Sequence, residues 1–159
     1  MAKQKQTTYG YSRKVLEVFR HPKNIGEIKN PDGFGLVGNP RCGDTMSMYL
    51  KISKDGEDRI EDIKIKTFGC LGAISSSSIL TEMVKGKTIG DALRVTKDDV
   101  IKKLGGLPPI KVHCSVLSVD ALKEAIYDYY KRKGRKIPKD LEEVHKHNLQ
   151  VRESIEHMH

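Results

Sequence analysis

Three cysteines, one aspartate and one histidine are the residues of this chain best suited to chemistry, and each cysteine lies in a segment marked by Gly or Pro. Cys42 and Asp44 belong to Gly38-Asn39-Pro40-Arg41-Cys42-Gly43-Asp44, and Cys70 to Phe68-Gly69-Cys70-Leu71-Gly72-Ala73. His113-Cys114-Ser115 follows a Pro-Pro pair. An odd cysteine count argues against a disulfide framework and for metal or thiol chemistry. No Cys-x-x-Cys is present, so zinc-ribbon and ferredoxin spacings are excluded. Thiolates are soft ligands for iron or zinc, while a carboxylate is hard and an imidazole intermediate. Each segment also has a plainer reading. Cys-Gly-Asp is a common turn in which the aspartate bonds its own backbone, and cysteines are often buried core residues. Spacing alone does not bring three distant segments together.

The elements that must position these groups follow from periodicity. Tyr11, Val15, Val18 and Phe19 keep helical spacing until Pro22 stops the helix, and residues 1–10 read as a flexible lead-in. Asn24 to Pro40 reads as a loop rich in Gly, Asn and Pro. Met46, Met48, Leu50 and Ile52 alternate with polar partners, as do Ile63, Ile65 and Thr67 after a turn at Asp55-Gly56. That pattern predicts an antiparallel hairpin with one face buried. Beyond Cys70 the chain reads as helix: Ala73–Val84, Thr88–Leu93, Thr96–Leu104 with Thr96 as N-cap, and Ser115–Tyr130. Leu107-Pro108-Pro109 is expected to be extended. Two cysteines, Cys70 and Cys114, therefore precede helices, whose free N–H groups favour thiolate over thiol. Ser75-Ser76-Ser77-Ser78 is unusual inside a helix, and its small side chains permit close approach of another element. A last helix, about Lys139–Met158, carries Leu141, Val144, Asn148, Val151, Ile155 and Met158 as a stripe that packs on the domain or on a second subunit. His145, His147, His157 and His159 read as surface residues.

Composition bounds the alternatives. The 159 residues fit one domain, with 37% apolar and 31% charged residues. No stretch approaches the ~20 apolar residues of a membrane span, and the charged start lacks an apolar region, so the chain is read as cytoplasmic. The net charge of +8 could serve a nucleic acid or an acidic protein. Its densest run, Lys131-Arg132-Lys133-Gly134-Arg135-Lys136, lies away from the cysteines, and the chain has no Trp. Nucleic-acid and membrane partners are therefore not expected, and the run reads as a solvated linker.

Long ordered motifs carry a resemblance from Tyr11-Ser12 to Tyr129. They include His21-Pro22-Lys23-Asn24-Ile25-Gly26, Val37-Gly38-Asn39-Pro40-Arg41-Cys42-Gly43-Asp44 and Lys66-Thr67-Phe68-Gly69-Cys70. Thr81-Glu82-Met83-Val84-Lys85-Gly86-Lys87 and Leu107-Pro108-Pro109-Ile110-Lys111-Val112-His113-Cys114-Ser115 follow in order. In these the chain closely resembles the IscU/NifU-type iron–sulfur cluster scaffold family.

The resemblance implies an α+β fold of the SufE/NifU-like sandwich type. It has a small antiparallel sheet of about three strands packed against several helices, with the metal site at one exposed end. On that basis residues 11–131 form the scaffold domain and 132–159 a basic linker with a C-terminal helix. Cys42, Cys70 and Cys114 take the family's cysteine positions, Asp44 the aspartate that tunes cluster lifetime, and His113 the histidine beside the last cysteine. His113 is either a ligand or a neighbour that raises thiolate character in Cys114. The implied cargo is an iron–sulfur cluster, 2Fe–2S by preference, with zinc possible in the cluster-free form. The implied partners are a cysteine desulfurase, apo iron–sulfur proteins, an Hsp70-type chaperone reading Leu107, Pro108, Pro109, Ile110 and Lys111, and a second copy when the cluster is bound. Cys114 is the first candidate to accept sulfur, because Lys111, His113 and the following helix favour its thiolate; Cys42 is the second. Leu71 departs from the family, many members of which carry a second glycine there. Two other classes use the same residues: a zinc-binding structural or regulatory module, and a thiol enzyme with Cys114 as nucleophile and His113 as base. Adjacent residues seldom have the geometry of such a Cys–His pair.

Overall fold

The computed structural model describes residues 10–38 and 43–157. Three antiparallel strands, β1 Gly33–Gly38, β2 Thr45–Ile52 and β3 Ile60–Phe68, form a sheet in the order β1-β2-β3. Met46, Met48, Leu50 and Ile52 of β2 face the core with Ile60, Ile63 and Ile65 of β3, while Tyr49, Lys64 and Lys66 face outward. This is the alternation the sequence predicts.

The third strand, β1, falls in the segment read as a loop. Its inward positions are Gly33, Gly35 and Val37, so two of three carry no side chain and no apolar alternation is visible. The glycines are there because a long helix, α5 (Val112–Arg132), lies directly on the strand. A Cβ on Gly33 would stand 2.4 Å from the Ala125 carbonyl oxygen, and one on Gly35 would stand 2.6 Å from the Ala125 nitrogen.

Six helices cover one face of the sheet or each other: α1 (Arg13–Arg20), α2 (Leu71–Val84), α3 (Ile89–Ala92), α4 (Lys97–Lys103), α5 and α6 (Lys139–His157). Thr96 caps α4 in a reciprocal capping box with Asp99, as its residue type predicts. Ser12 caps α1 and donates to the Leu104 carbonyl at 2.6 Å, tying the start of α1 to the end of α4.

Helix α2 is the central one, packed by α1, α4, α5 and β3. Residues Ser75 to Thr81 are all buried, which is why its sequence has small side chains instead of one apolar stripe. Ser75 donates to Val15 O, Ser77 to Ala73 O, and Ser78 receives the Lys23 N–H at 2.7 Å. Ser76 Oγ is buried without a partner among the described residues.

The segment before α5 departs from expectation. Pro108 is extended as expected, at φ −55° and ψ 142°, but Pro109 opens a 3-10 turn that runs to Lys111, and α5 starts at Val112 rather than Ser115. Proline at the first position of a helical turn loses no hydrogen bond, so the Pro-Pro pair initiates the turn. The stripe of α6 packs on the domain, with Leu141 and Asn148 buried against α5 and β1; Met158 lies outside the described residues. The basic run is not a plain linker. Arg132 donates to the Pro31 carbonyl at 2.9 Å and pairs with Asp128, while Arg135 pairs with Asp58 and lies over the Tyr129 ring.

Candidate metal centre

Strands β2 and β3 end side by side, Thr45 opposite Phe68, and the Thr67 hydroxyl donates to the Thr45 carbonyl at 2.7 Å. Asp44 precedes one strand and Gly69-Cys70 follows the other, so the register of the hairpin brings them together. Gly69 is the residue that lets them meet. A Cβ there would stand 3.1 Å from Asp44 Cγ and 2.8 Å from Ala73 Cβ.

Cys70 is the N-cap of α2, and His113 and Cys114 lie in the first turn of α5. Packing of α2 on α5 sets the Cys70 and Cys114 sulfurs 3.5 Å apart. Gly72 faces both, and its missing Cβ would stand 3.3 Å from Cys114 Sγ and 3.6 Å from Cys70 Sγ. His113 Nε2 lies 3.6 Å from Cys114 Sγ. One ligand atom each from Asp44, His113 and Cys114 lies within 4.8 Å of the others.

Two thiolates at ~2.3 Å from one tetrahedral metal stand roughly 3.8 Å apart, close to the spacing observed. Asp44 is 7% exposed, and its Oδ2 has no hydrogen-bond partner among the described residues. A buried carboxylate oxygen without a partner is costly. Here the carboxylate shares its surroundings with the Cys114 thiol and the His113 imidazole, and Cys70 adjoins through its contact with Cys114, donor types that suit a thiophilic metal.

Of the five residues singled out in the sequence, four converge: Asp44, Cys70, His113 and Cys114. Cys42 lies outside the described residues. The group lies at the end of the sheet, where Phe68 at the close of β3 is exposed, yet Asp44 and Cys114 themselves are buried.

The setting of Cys114 differs from expectation. Its pKa is pushed up, first by burial, then by a hydrogen bond with Cys70 and by the negative charges of Cys70 and Asp44; Lys111 acts the other way. Burial outweighs the helix N-terminus, because Cys114 sits inside the first turn and its side chain is fully covered. Lys111 keeps its ammonium form more firmly than usual, chiefly through the charge of Cys70. Tyr11 also borders the sulfurs, and its pKa is raised by burial and then by Cys70. Nothing in its sequence position, one residue before a helix cap, signals this.

A second polar cluster lies on the outer side of α5. Glu124 is buried and accepts from His145 Nδ1 at 2.5 Å and from Asn148 Nδ2 at 3.1 Å, both on α6. His145 stacks on Tyr127 with ring centroids 3.9 Å apart. The expectation that His145 is a surface residue is therefore corrected: it is half-buried and holds α6 in place. His147 is exposed, and the side chains of His157 and His159 lie outside the described residues.

The model of the NifU-like N-terminal domain matches residues 10–136. Over 125 residues the chain is 54% identical to "iron-sulfur cluster assembly scaffold protein IscU 1" of Archaeoglobus fulgidus, which covers 79% of this chain and 80% of that protein. It is 47% identical over 141 residues to the scaffold protein IscU of Aquifex aeolicus, covering 86% and 89% of the two chains. Its fold matches a solved NifU-like protein (N-terminal) from Brucella abortus with a TM-score of 0.60 at 25% identity, over 76% of this chain and 94% of that one.

Proposed function

The chain belongs to the NifU-like N-terminal domain family, and from that premise we propose that it is a scaffold for iron–sulfur cluster assembly. It receives sulfur from a cysteine desulfurase, combines it with iron, and passes a labile cluster to apo-proteins. The observation that carries this reading is the buried Asp44 carboxylate, which has one oxygen without a partner among the described residues and shares a group with the sulfur of Cys114 and the imidazole of His113. A site filled by four thiolates would hold iron too firmly for a carrier. A carboxylate in place of one thiolate leaves a weak corner from which the cluster departs.

The ligands of this reading are Cys70, Cys114 and Asp44, with His113 as ligand or neighbour, supported by the grouping of Asp44, His113 and Cys114 and the Cys70–Cys114 contact. Cys42 joins them by its place in the family motif. The cargo is a 2Fe–2S cluster, and zinc fills the same donors when cluster is absent. Sulfur arrives on Cys114 when its thiolate attacks the outer sulfur of a desulfurase persulfide, which leaves as a thiolate. Because burial holds Cys114 as a thiol, its proton must be drawn off as the partner docks. The chain acts as a stoichiometric carrier, not as a catalyst, in a cytoplasmic setting where thiols stay reduced. Leu107–Lys111 is offered to an Hsp70-type chaperone, with the Ile110 side chain 77% exposed, and the loaded form is a homodimer.

The test is anaerobic reconstitution with iron, cysteine and a catalytic amount of a cysteine desulfurase. The expected result is a brown protein with iron and sulfide in equal amounts that converts an apo-ferredoxin to its holo form. A colourless protein that keeps stoichiometric zinc under these conditions contradicts the reading. Asp44→Ala should lengthen the lifetime of the cluster; a shorter or equal lifetime removes the weak-corner role.

A further inference from the structure

A persulfide delivers sulfur at the zero-valent level, whereas a cluster is built from sulfide. Two electrons per sulfur must therefore be supplied between arrival and assembly. Within the described site the residues able to supply them are the two thiols in contact.

We propose that Cys70 is the resolving thiol of the pair: it attacks the Sγ of a Cys114 persulfide, expels hydrosulfide into the metal site and leaves a Cys70–Cys114 disulfide. The proposal rests on the scaffold reading above. The Cys70 thiolate forms the new bond to Cys114 Sγ, and the bond between Cys114 Sγ and the outer sulfur breaks. The outer sulfur takes the electron pair and leaves as HS⁻, keeping the persulfide proton. Two cysteine sulfurs are oxidised and one zero-valent sulfur is reduced, so electrons balance without an outside donor. An external dithiol then returns the disulfide to two thiols.

Three features carry this. The sulfurs are 3.5 Å apart, within the range of a reacting pair before bond formation. No side chain stands on the Gly72 side of them, where a Cβ would crowd Cys114 Sγ at 3.3 Å. Lys111 lies beside the pair, in hydrogen-bonding reach of Cys70. Attack on the inner sulfur, not the outer one, decides the outcome. Inner attack releases sulfide, while outer attack merely moves the persulfide to Cys70. The direct contact of the two Sγ atoms selects the inner sulfur.

The experiment uses the metal-free chain and a desulfurase preloaded as its persulfide and stripped of free cysteine, with no other thiol present. Released sulfide is measured colorimetrically, and the chain is weighed intact and mapped by non-reducing peptide analysis. The expected product is one equivalent of sulfide and a chain lighter by two hydrogens, cross-linked between Cys70 and Cys114. Cys70→Ser should instead hold a Cys114 persulfide, heavier by one sulfur atom, with sulfide release slowed on the order of 100-fold. A wild-type chain that accumulates a stable Cys114 persulfide without sulfide overturns the inference and leaves sulfur acceptance intact. A disulfide mapped to Cys42 in place of Cys70 also overturns it. A wild-type chain that takes up no sulfur overturns sulfur acceptance itself, a distinguishable failure.

Discussion

Two carboxylates are buried in this molecule to nearly the same depth, Asp44 and Glu124, at 7% and 6% exposure. Glu124 has both oxygens engaged, by His145 and Asn148 of α6. Asp44 Oδ2 has no partner among the described residues, and the Asp44 carboxylate lies within 4.8 Å of ligand atoms of His113 and Cys114. Burial of a charge is tolerated where partners complete it and is a standing cost where they do not. Glu124 is thus a structural pin, whereas Asp44 keeps an oxygen that the proposed cargo would complete. Reading either by burial alone would confuse them.

Replacing each carboxylate and its partners should break the two regions differently. Glu124→Ala leaves His145 and Asn148 facing a void, and should lower unfolding free energy by about 3 kcal/mol. Urea denaturation measures it, while the zinc affinity of the folded protein stays within about twofold. A smaller loss is expected for His145→Ala, about 1–2 kcal/mol, because Glu124 keeps its bond to Asn148. If His145→Ala costs as much as Glu124→Ala, the cluster is not a divisible pin.

Alkaline pH should act on the other region. A thiol whose folded-state pKa lies above its unfolded value of about 8.5 contributes stability that is whole below that value. That stability is lost as pH climbs towards the folded-state value. Cys114 is raised in this way by burial, and the Tyr129 phenol, pushed up to about 12, acts in the same sense at higher pH. The Tm of the metal-free protein should therefore fall between about pH 9 and 11, and Cys114→Ala should flatten the decline. Zinc should also remove the Cys114 share of it, since a bound thiolate carries no proton to lose, and leave the Tyr129 share. A flat profile in the wild type would mean that Cys114 is not held as a thiol.

Much of this arrangement was legible in the residues and part of it was not. The β2–β3 hairpin, the capped helices and the motif carrying His113 and Cys114 follow from alternation, capping residues and family likeness. Strand β1 was hidden because Gly33 and Gly35 face α5 directly, which erases the apolar signal that marks a strand. Of the extended Leu107-Pro108-Pro109 only Pro109 departs, because proline breaks a helix from within but suits its first position. Inside the site, the residues Asp44, His113 and Cys114 that the fold groups together were readable. The raised pKa of Cys114 was not, because it comes from burial between α2 and α5. The roles of Glu124 and His145 were invisible for a related reason, since 21 positions in sequence separate them and only helix packing brings them together.

Asp44 Oδ2 has no partner among the described residues, and the weak-corner proposal has metal complete it. Asp44→Asn tests it most directly, through thermal unfolding with and without one equivalent of Zn²⁺. The account predicts an apo Tm equal to or above that of the wild type, together with a clearly smaller rise on adding zinc. A variant that is less stable without metal yet gains as much from zinc as the wild type would contradict it.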